Sequence, residues 1–359
     1  MIRLLWALAL LFSLNEVPPI TPENVAQITI LNRLELGDTS AQAIAFNPLD
    51  SHELAAAQAD GTLSIWDVTT GKTRITWQAA ASRLDSIVLT ALVYTADGKK
   101  LITADTHGNI KIWDSANGVL LKILDVLNET PNVLDITPNN VLAAGYEYGN
   151  VRLWNVDTGD NMLNLYGYGG HMDAIAISPD GKRVALGYSV DHVVIYRLDN
   201  IQRQHIYIEQ ILDVYELNDL AFVPNPQPYE YLSSDYGLAT TSNFFSTQFW
   251  DAQFAITVHT WGTESTMVYP ESMDFNHNGT LVAVGGKATA AGGWCESNPC
   301  PIEIIQGQHD PDNVEAGLPI LVSLEEPQTG PLDVTFSNDD RYLAASFQNG
   351  IVLIWGITE

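Results

Sequence analysis

One strand pattern recurs along this chain, and it constrains the fold more than any other feature. Each copy starts at a glycine turn, alternates branched apolar residues with polar ones, and ends at a tryptophan. Such alternation is typical of a half-buried antiparallel strand, and glycine permits the positive φ of a tight hairpin. The sequence therefore predicts an all-β protein built from one repeated unit. The clearest copies are DGTLSIWD at 60–67, GNIKIWD at 108–114, GNVRLWN at 149–155 and GIVLIW at 350–355.

A second motif precedes the tryptophan strand. It is an Asp-Gly turn followed by basic residues, and it is clearest at 95–101 and 178–184. A unit of roughly 40–45 residues that carries this turn and ends in Trp-Asp resembles the WD40-repeat family. The resemblance covers roughly residues 25–357, and it implies a β-propeller of four-stranded antiparallel blades. The lead-in at 18–24 is similar to that of exported bacterial WD40 proteins.

The spacing of the strand ends counts the blades. Successive ends are separated by 47, 41, 42, 54 and 105 residues. Because the last gap is about twice a repeat, a degenerate blade is predicted within it, with 301–305 as its third strand. The total is then seven blades. The strand ends are Trp66, Trp113, Trp154, Tyr196, Trp250 and Trp355.

The ring must also close, because an open edge strand is prone to aggregation. The last repeat stops at Glu359, directly after its third strand, while residues 27–36 have strand character and precede the first blade. In WD40 proteins an N-terminal strand of this kind completes the final blade. The predicted organisation is a leader and Pro-rich lead-in at 1–24, followed by a single seven-bladed propeller at 25–359.

The repeat differs from the family pattern in one buried hydrogen-bond network. WD40 blades often hold a buried His, Ser/Thr, Asp and Trp network, with the Asp six residues before the Trp. Here that position is Asp60 once and otherwise His107, Tyr148 or Asn349, and His171 follows the one Gly-His pair. Asp60 and His171 are thus the candidate structural residues of the network. Most blades are predicted to be held by packing instead.

The N-terminus resembles an export signal. Arg3 supplies a positive charge, and 4–14 (LLWALALLFSL) form an apolar run that is too short to cross a bilayer as a helix. No Ala-x-Ala cleavage site follows it. The alternatives are a buried apolar segment and an uncleaved anchor.

Two cysteines, Cys295 and Cys300, lie in a segment that is predicted to be a loop. In an oxidising compartment they would close a small disulfide ring, which agrees with export. The alternative is half of a zinc site, but no His or Cys pair at ligand spacing lies nearby. The disulfide is the better interpretation.

The net charge limits the partners. Sixteen Lys and Arg face 43 Asp and Glu, for a formal charge of −27. Such a field repels nucleic acid and anionic membranes, so neither nucleic-acid binding nor membrane insertion of the mature domain is expected. A closed acidic propeller has no evident need to oligomerise, and a monomer is predicted.

The sequence contains no catalytic motif, and every candidate residue is better explained by a structural role. Neither a Gly-x-Ser-x-Gly elbow nor a His-Glu-x-x-His helix occurs, so neither enzyme activity nor a cofactor is predicted. The oxygen side chains of Asp310, Asp312 and Asn313 form a weak calcium candidate. A solvated acidic loop is the better interpretation of that segment.

The insertion at 285–301 is the best binding candidate, because loops on a rigid scaffold often carry binding surfaces. The resemblance places it between the second and third strands of blade six, on the top face of the propeller. Trp294 is an anchor candidate there, although it could instead fold back on its own blade. The candidate partner-binding residues are Trp294, Cys295, Glu296, Asn298 and Cys300.

These observations predict an exported interaction module that recognises a protein or a cell-surface component through its top face. One alternative is an exported propeller hydrolase or lyase acting on carbohydrate or peptide. The other is an intracellular WD40 scaffold. The partner itself is not identified.

Overall fold

The computed structural model describes most of the chain in ordered segments. These are residues 17–80, 87–124, 129–167, 169–189, 192–198, 201, 207–223, 237–242, 246–251, 256–261, 269–287, 301–307, 319–324 and 330–358. Within them, 28 strands form seven four-stranded sheets whose neighbouring strands are all antiparallel.

The first four blades use consecutive strands, ordered from the channel outwards. Blade one is β2 (Ala41–Asn47), β3 (Asp50–Gln58), β4 (Thr62–Asp67) and β5 (Lys72–Gln78). Blade two is β6 (Leu89–Tyr94), β7 (Lys100–Asp105), β8 (Ile110–Asp114) and β9 (Leu120–Leu124). Blade three is β10 (Pro131–Ile136), β11 (Val141–Tyr146), β12 (Val151–Asn155) and β13 (Asn161–Leu165). Blade four is β14 (Met172–Ile177), β15 (Arg183–Tyr188), β16 (His192–Arg197) and β17 (Ile208–Asp213).

The last three blades include the degenerate repeat and the ring closure. Blade five is β18 (Leu217–Val223), β19 (Gly237–Ser242), β20 (Ser246–Asp251) and β21 (Ile256–Trp261). Blade six is β22 (Tyr269–Phe275), β23 (Leu281–Lys287), β24 (Ile302–Gln306) and β25 (Ile320–Leu324). Blade seven is β26 (Pro331–Phe336), β27 (Leu343–Phe347), β28 (Ile351–Ile357) and β1 (Ile28–Glu35).

The N-terminal strand closes the ring, as the sequence predicts. β1 pairs antiparallel with β28, from Ile28 opposite Ile357 to Glu35 opposite Ile351. The predicted third strand of blade six is also confirmed, because β24 occupies that place. Ile305 opposes Val282 there. Five of the other blades place a tryptophan opposite a leucine at this position, and blade four places a tyrosine opposite a valine. The seven-bladed propeller is therefore the fold.

The core lies between blades rather than within them. Each sheet presents both faces to its neighbours, so alternate residues of every inner strand pack against a different blade. At the junction of blades one and two, for example, Leu63 and Ile65 pack with Leu101 and Trp113 in one buried cluster. Burial of each such side chain contributes about 1.5–3 kcal/mol, and this packing fixes the angle between blades.

Glycine at the turn before the third strand allows the repeated hairpin. Gly61 and Gly350 have φ of 82° and 78°, a conformation in which a side chain is strained. A Cβ at Gly350 would also lie 2.5 Å from the carbonyl oxygen of Gly37. The same residue type therefore recurs at this place for both backbone and packing reasons.

The lead-in packs against the propeller. The amide of Ile20 donates to the carbonyl oxygen of Asp340 at 2.6 Å, and the Ile20 side chain is fully buried. Val25, in a short 3-10 helix (Val25–Gln27), joins the same apolar cluster between blades six and seven. The predicted leader at 1–16 lies outside the described residues. No helix among the described residues is long and apolar enough to cross a membrane.

Candidate functional site: the central channel and its mouths

The first strand of every blade lines a central channel. Chain direction alternates within each blade, so the turns that join first to second strands all lie at one end. We call this end the lower mouth. The turns between second and third strands lie at the opposite end, together with the connections between blades, and this end is the top face.

The channel strands carry acidic residues and no basic ones. The seven innermost strands contain no Lys, Arg or His. A cation at the channel wall therefore meets carboxylates without competition from a fixed positive charge. The acidic residues of these strands are Asp135, Asp173, Asp219, Glu271, Asp274 and Asp333.

Two of these aspartates form equivalent bridges low in the channel. Asp135 of blade three accepts the amide of Ile177 in blade four through Oδ2 at 2.6 Å. Asp274 of blade six accepts the amide of Phe336 in blade seven at 2.8 Å, and Thr335 Oγ1 donates to the same oxygen at 3.1 Å. Each carboxylate thus links the innermost strands of two neighbouring blades.

A second pair of bridges lies higher in the channel. Asp219 accepts the amide of Met273, which joins blades five and six at 2.8 Å. Asp333 accepts the amide of Ile44 at 2.9 Å and thereby joins blade seven to blade one. Ser272 donates to Asp333 and accepts the amide of Val334, both at 3.2 Å. Charge-assisted hydrogen bonds of this kind contribute about 1.5–3 kcal/mol each.

Burial makes the charged form of these aspartates unfavourable. It raises the pKa of Asp219 and Asp274 to about 7, even though backbone amides stabilise both carboxylates. The charge of Asp333 also raises both values. Burial raises the pKa of Asp135 and of Asp333 itself to about 6. The bridges therefore protonate within the physiological pH range.

The channel opens into a cavity at the lower mouth. Its volume is about 530 Å³, within the range of ligand sites. The lining comes from blades one, four, six and seven, so the cavity spans the ring. Its walls combine aromatic rings and prolines with one carboxylate. The lining residues used below are Phe46, Pro48, Pro179, Asp274, Phe275 and Phe336.

The top face presents exposed tyrosines. Tyr148 follows β11, Tyr166 follows β13 and Tyr215 follows β17, with exposed fractions of 62%, 82% and 54%. The backbone of Gly167 packs directly against Gly149, so the segments carrying Tyr148 and Tyr166 adjoin each other. Aromatic side chains on a firmly held backbone are typical of protein-binding surfaces.

The predicted strand-end residues lie on the third strands, but only some indoles have the family's hydroxyl partner. Trp113 Nε1 donates to Thr103 Oγ1, and Trp250 Nε1 donates to Thr240 Oγ1, both at 2.9 Å. Trp66 and Trp154 are paired with strands that carry alanine at that place, and their indole nitrogens have no partner. Tyr196 and Trp355 are buried at the equivalent position.

Asp60 and His171 lie at the surface rather than in a buried network. Asp60 accepts the amide of Thr62 within its own turn at 2.9 Å, and the His171 amide donates to Ser189 Oγ at 2.9 Å. A buried turn aspartate does occur in blade two, at Asp105, which the sequence interpretation missed. It lies eight residues before Trp113, so a search at a spacing of six does not find it.

Asp105 organises the turn before the third strand of blade two. Its Oδ1 accepts the amides of His107 and Asn109, both at 3.0 Å, and Lys111 Nζ lies 3.3 Å from Oδ2. The side chain is 1% exposed, so these contacts compensate the carboxylate for its lost water.

The predicted top-face loop and the weak calcium candidate both fall on residues that the structure does not describe. Trp294, Cys295, Glu296, Asn298 and Cys300 lie outside the described residues, as do Asp310, Asp312 and Asn313. Within the described segments, no three His, Cys, Asp or Glu side chains converge as a metal site requires. The bridging aspartates are thus separate links and not one ligand cluster.

Comparison with protein families gives a match within blade two. The model described as "WD domain, G-beta repeat" matches residues 82–114, which include the first three strands of blade two. A chain in the crystal structure of the mitotic checkpoint complex superposes with a TM-score of 0.73 and 16% identity, over 92% of both chains. That similarity establishes the fold.

Curated relatives match part of the chain. Cilia- and flagella-associated protein 52 of Chlamydomonas reinhardtii is 27% identical over 134 residues, which is 37% of this chain and 21% of that protein. Protein groucho of Drosophila melanogaster is 22% identical over 52% of this chain and 24% of its own length. WD repeat-containing protein 55 of Bos taurus is 28% identical over 40% and 38%. The matched region is thus less than two fifths of each relative, and none of these names describes a catalysed reaction.

Proposed function

We propose that this chain, a WD40-repeat β-propeller, is a non-catalytic binding module that captures a protein partner on its top face. The observation that carries the proposal is the exposure of Tyr148, Tyr166 and Tyr215 on top-face connections that run from blade three to the start of blade five. Each tyrosine offers a large amphipathic contact surface with few rotatable bonds, so little conformational entropy is lost on binding.

The rigid backbone beneath the tyrosines supports this role. Gly149 adopts a φ of 79°, and a Cβ there would lie 2.9 Å from the carbonyl oxygen of Gly170. The connections of blades three and four therefore pack backbone to backbone. A surface that is ordered before binding loses less entropy when a partner docks.

The chemistry of the channel favours binding over catalysis. Asp135, Asp219, Asp274 and Asp333 use carboxylate oxygens to hold backbone amides of the next blade. A general acid or base must instead reach a substrate atom from a mobile or open position. These carboxylates are consequently suited to holding the ring together.

We also propose that the protein is exported and that its partner is extracytoplasmic. The apolar run at 4–14 behind Arg3 supports this proposal, and so do the closely spaced Cys295 and Cys300. In this scheme the loop at 288–300 extends the top-face surface, with Trp294 as an additional anchor.

Alanine variants test the tyrosine surface. The triple variant Tyr148→Ala, Tyr166→Ala and Tyr215→Ala is expected to lose a protein that the wild type captures from the native cell-surface fraction. Loss of two or three anchor residues lowers affinity by about 100-fold or more. Capture is measured by chemical cross-linking and mass spectrometry, with melting temperature as the check on folding.

The matched control is Tyr207→Ala. Tyr207 is 63% exposed but precedes β17 at the opposite end of blade four, so this variant should capture the partner like the wild type. Equal capture by the triple variant and the wild type would contradict the tyrosine surface. A separate deletion of 288–300 tests the loop, and undiminished capture would remove it from the interface.

The export proposal has its own measurement. Intact mass is determined without reductant on protein from its native cells. A mass that lacks the N-terminal segment and two hydrogens supports both export and the disulfide. A full-length mass with two free thiols contradicts both and leaves an intracellular scaffold as the better function.

A further inference from the structure

The cavity at the lower mouth is lined mainly by apolar side chains. Phe46, Phe275 and Phe336 come from blades one, six and seven, and Pro48 and Pro179 complete an apolar rim. Asp274 is the one acidic residue among the lining side chains. The cavity thus combines an apolar wall with a single anionic point.

Asp274 is held in position before any ligand arrives. Both donors from blade seven, the Phe336 amide and the Thr335 hydroxyl, bind its Oδ2 atom. A ligand can therefore approach a carboxylate whose orientation is already fixed by the ring. Preorganised charge of this kind binds an opposite charge without a reorganisation cost.

The surrounding charges select the sign of the ligand. The charge of Asp333 raises the pKa of Asp274, the charge of Asp274 raises the pKa of Asp219, and neither Lys nor Arg lines the cavity. His277 is the one basic group in the lining, and its amide donates to Asp340 at 2.6 Å. Anions are repelled, while a purely apolar group would bury the charge of Asp274 without an opposite charge to compensate it.

We propose that the lower mouth receives a basic side chain, arginine or lysine, from a partner polypeptide. The alkyl stem packs against the phenylalanine and proline wall, and the cationic head pairs with Asp274. Long basic side chains bind in this way because the stem is apolar and the charge is terminal. An aromatic face within about 6 Å adds a cation–π contribution.

A side chain fits this cavity better than a free ion or a nucleotide does. The cavity opens to solvent at the end of the ring, so a side chain projecting from another protein can enter it. A metal ion needs several converging ligands, and no three His, Cys, Asp or Glu side chains of the described residues converge here. The proposal does not depend on the top-face tyrosines.

Binding of two model peptides to the full-length protein tests the proposal. The first is acetyl-Gly-Ala-Arg-Ala-Gly-amide, and the second carries neutral citrulline in place of arginine. Calorimetry or NMR titration at low salt and at pH 8, where Asp274 is mostly ionised, is expected to give a dissociation constant on the order of 1 mM for the arginine peptide. The citrulline peptide should bind at least about 10-fold more weakly, because it lacks the charge.

Two matched aspartate variants locate the site. Asp274→Asn keeps an oxygen for the blade-seven donors but removes the charge, and it should weaken arginine-peptide binding by about 10-fold or more. Asp135→Asn makes the same change in the equivalent bridge of blade three, outside the cavity lining, and should change affinity less than about 2-fold. Melting temperatures establish that both variants fold.

Three outcomes would overturn the proposal. They are equal affinity for the citrulline peptide, equal losses in the two variants, and no saturable binding of the arginine peptide. Tyr166→Ala should bind the arginine peptide like the wild type, since Tyr166 lies on the opposite face. Failure of the tyrosine surface and failure of the lower-mouth site are therefore distinguishable.

Discussion

A single hydroxyl distinguishes the two kinds of tryptophan in this propeller. Trp113 and Trp250 have a threonine on the neighbouring strand, so each indole N–H is satisfied although it is buried. At Trp154 the equivalent residue is Ala144, and the indole N–H has no partner. A buried donor left unsatisfied costs about 1–3 kcal/mol.

Ala144→Ser should therefore stabilise the protein. The new hydroxyl is placed to accept from Trp154 Nε1 as Thr103 accepts from Trp113, and a gain of about 1 kcal/mol is expected. Urea unfolding with tryptophan fluorescence measures it. The control is Ala143→Ser, whose hydroxyl faces the other neighbouring blade and should destabilise. If both variants lose stability, the indole hydrogen bond does not form.

The bridging aspartates share a sequence pattern, but the pattern alone does not identify them as bridges. In the four bridging strands the aspartate directly precedes an apolar residue that faces the other way, as in Asp135-Ile136 and Asp333-Val334. Within period-2 alternation this pattern resembles an ordinary polar position. The acceptor role was invisible because the donors belong to the next blade.

At the scale of elements, the N-terminal strand β1 holds the ring closed. It is the fourth strand of blade seven, and without it the edge of β28 is unpaired. Leu34 is 1% exposed and packs in the cluster between blades seven and one. Ile30 on the same strand is 46% exposed, so the strand carries both a core and a surface position.

Leu34→Ala should destabilise the whole propeller. Removal of a buried leucine costs about 2–5 kcal/mol, and the loss falls on the one junction that joins the two ends of the chain. Differential scanning calorimetry measures the shift in melting temperature. Ile30→Ala is the matched control and should stay within about 0.5 kcal/mol of the wild type. Similar losses at both positions would show that β1 does not contribute through its buried face.

At the scale of the whole molecule, acidic residues with opposite pKa shifts set the pH dependence. Burial raises the pKa of Asp219 and Asp274 to about 7, and it raises that of Glu303, which has an unpartnered Oε2, to about 7. The folded state then binds more protons than the unfolded state between about pH 4 and 7. The contribution of these groups to the free energy of unfolding is fully present below about pH 4 and is lost as the pH rises through 7.

The free energy of unfolding should consequently be higher at pH 5 than at pH 8. A carboxyl whose pKa rises from 3.8 to about 7 contributes ~2–4 kcal/mol to this difference. Chemical denaturation at a series of pH values measures it. The double variant Asp219→Asn, Asp274→Asn should show a smaller difference and greater stability at pH 8, because its bridges carry no charge. An unchanged slope in that variant would contradict the assignment.

Stability should fall again in stronger acid. The Thr95 hydroxyl lowers the pKa of Asp97, and Lys100 lowers that of Asp157. Such groups contribute stability above about pH 4, and that contribution is lost as pH falls through their lowered pKa. The two sets together place maximum stability on the acid side of neutrality. The net charge of −27 also favours a maximum below neutral pH. Repulsion among the carboxylates of the folded protein diminishes as they protonate.

The sequence by itself determines the features that depend on neighbours along the chain. Alternation, glycine turns and the spacing of the tryptophans predict strand type, blade number and ring closure, and even the degenerate strand at 301–305 follows from arithmetic. Because these properties recur in every repeat, a degenerate repeat can still be assigned from the spacing of the others. A search for the family's network at a spacing of six did not find Asp105, because that residue ends β7, eight residues before Trp113.

Only the tertiary structure decides which side chains meet between blades. Asp135 binds an amide 42 residues further on, and Asp333 binds one 289 residues back. The cavity at the lower mouth likewise joins four blades, and its Phe46 and Phe336 come from the first and the last blade of the ring. A repeat specifies the shape of one blade. The contacts at the channel depend on how seven blades close around it. The local sequence pattern carries no information about which residues of neighbouring blades then come within hydrogen-bonding distance.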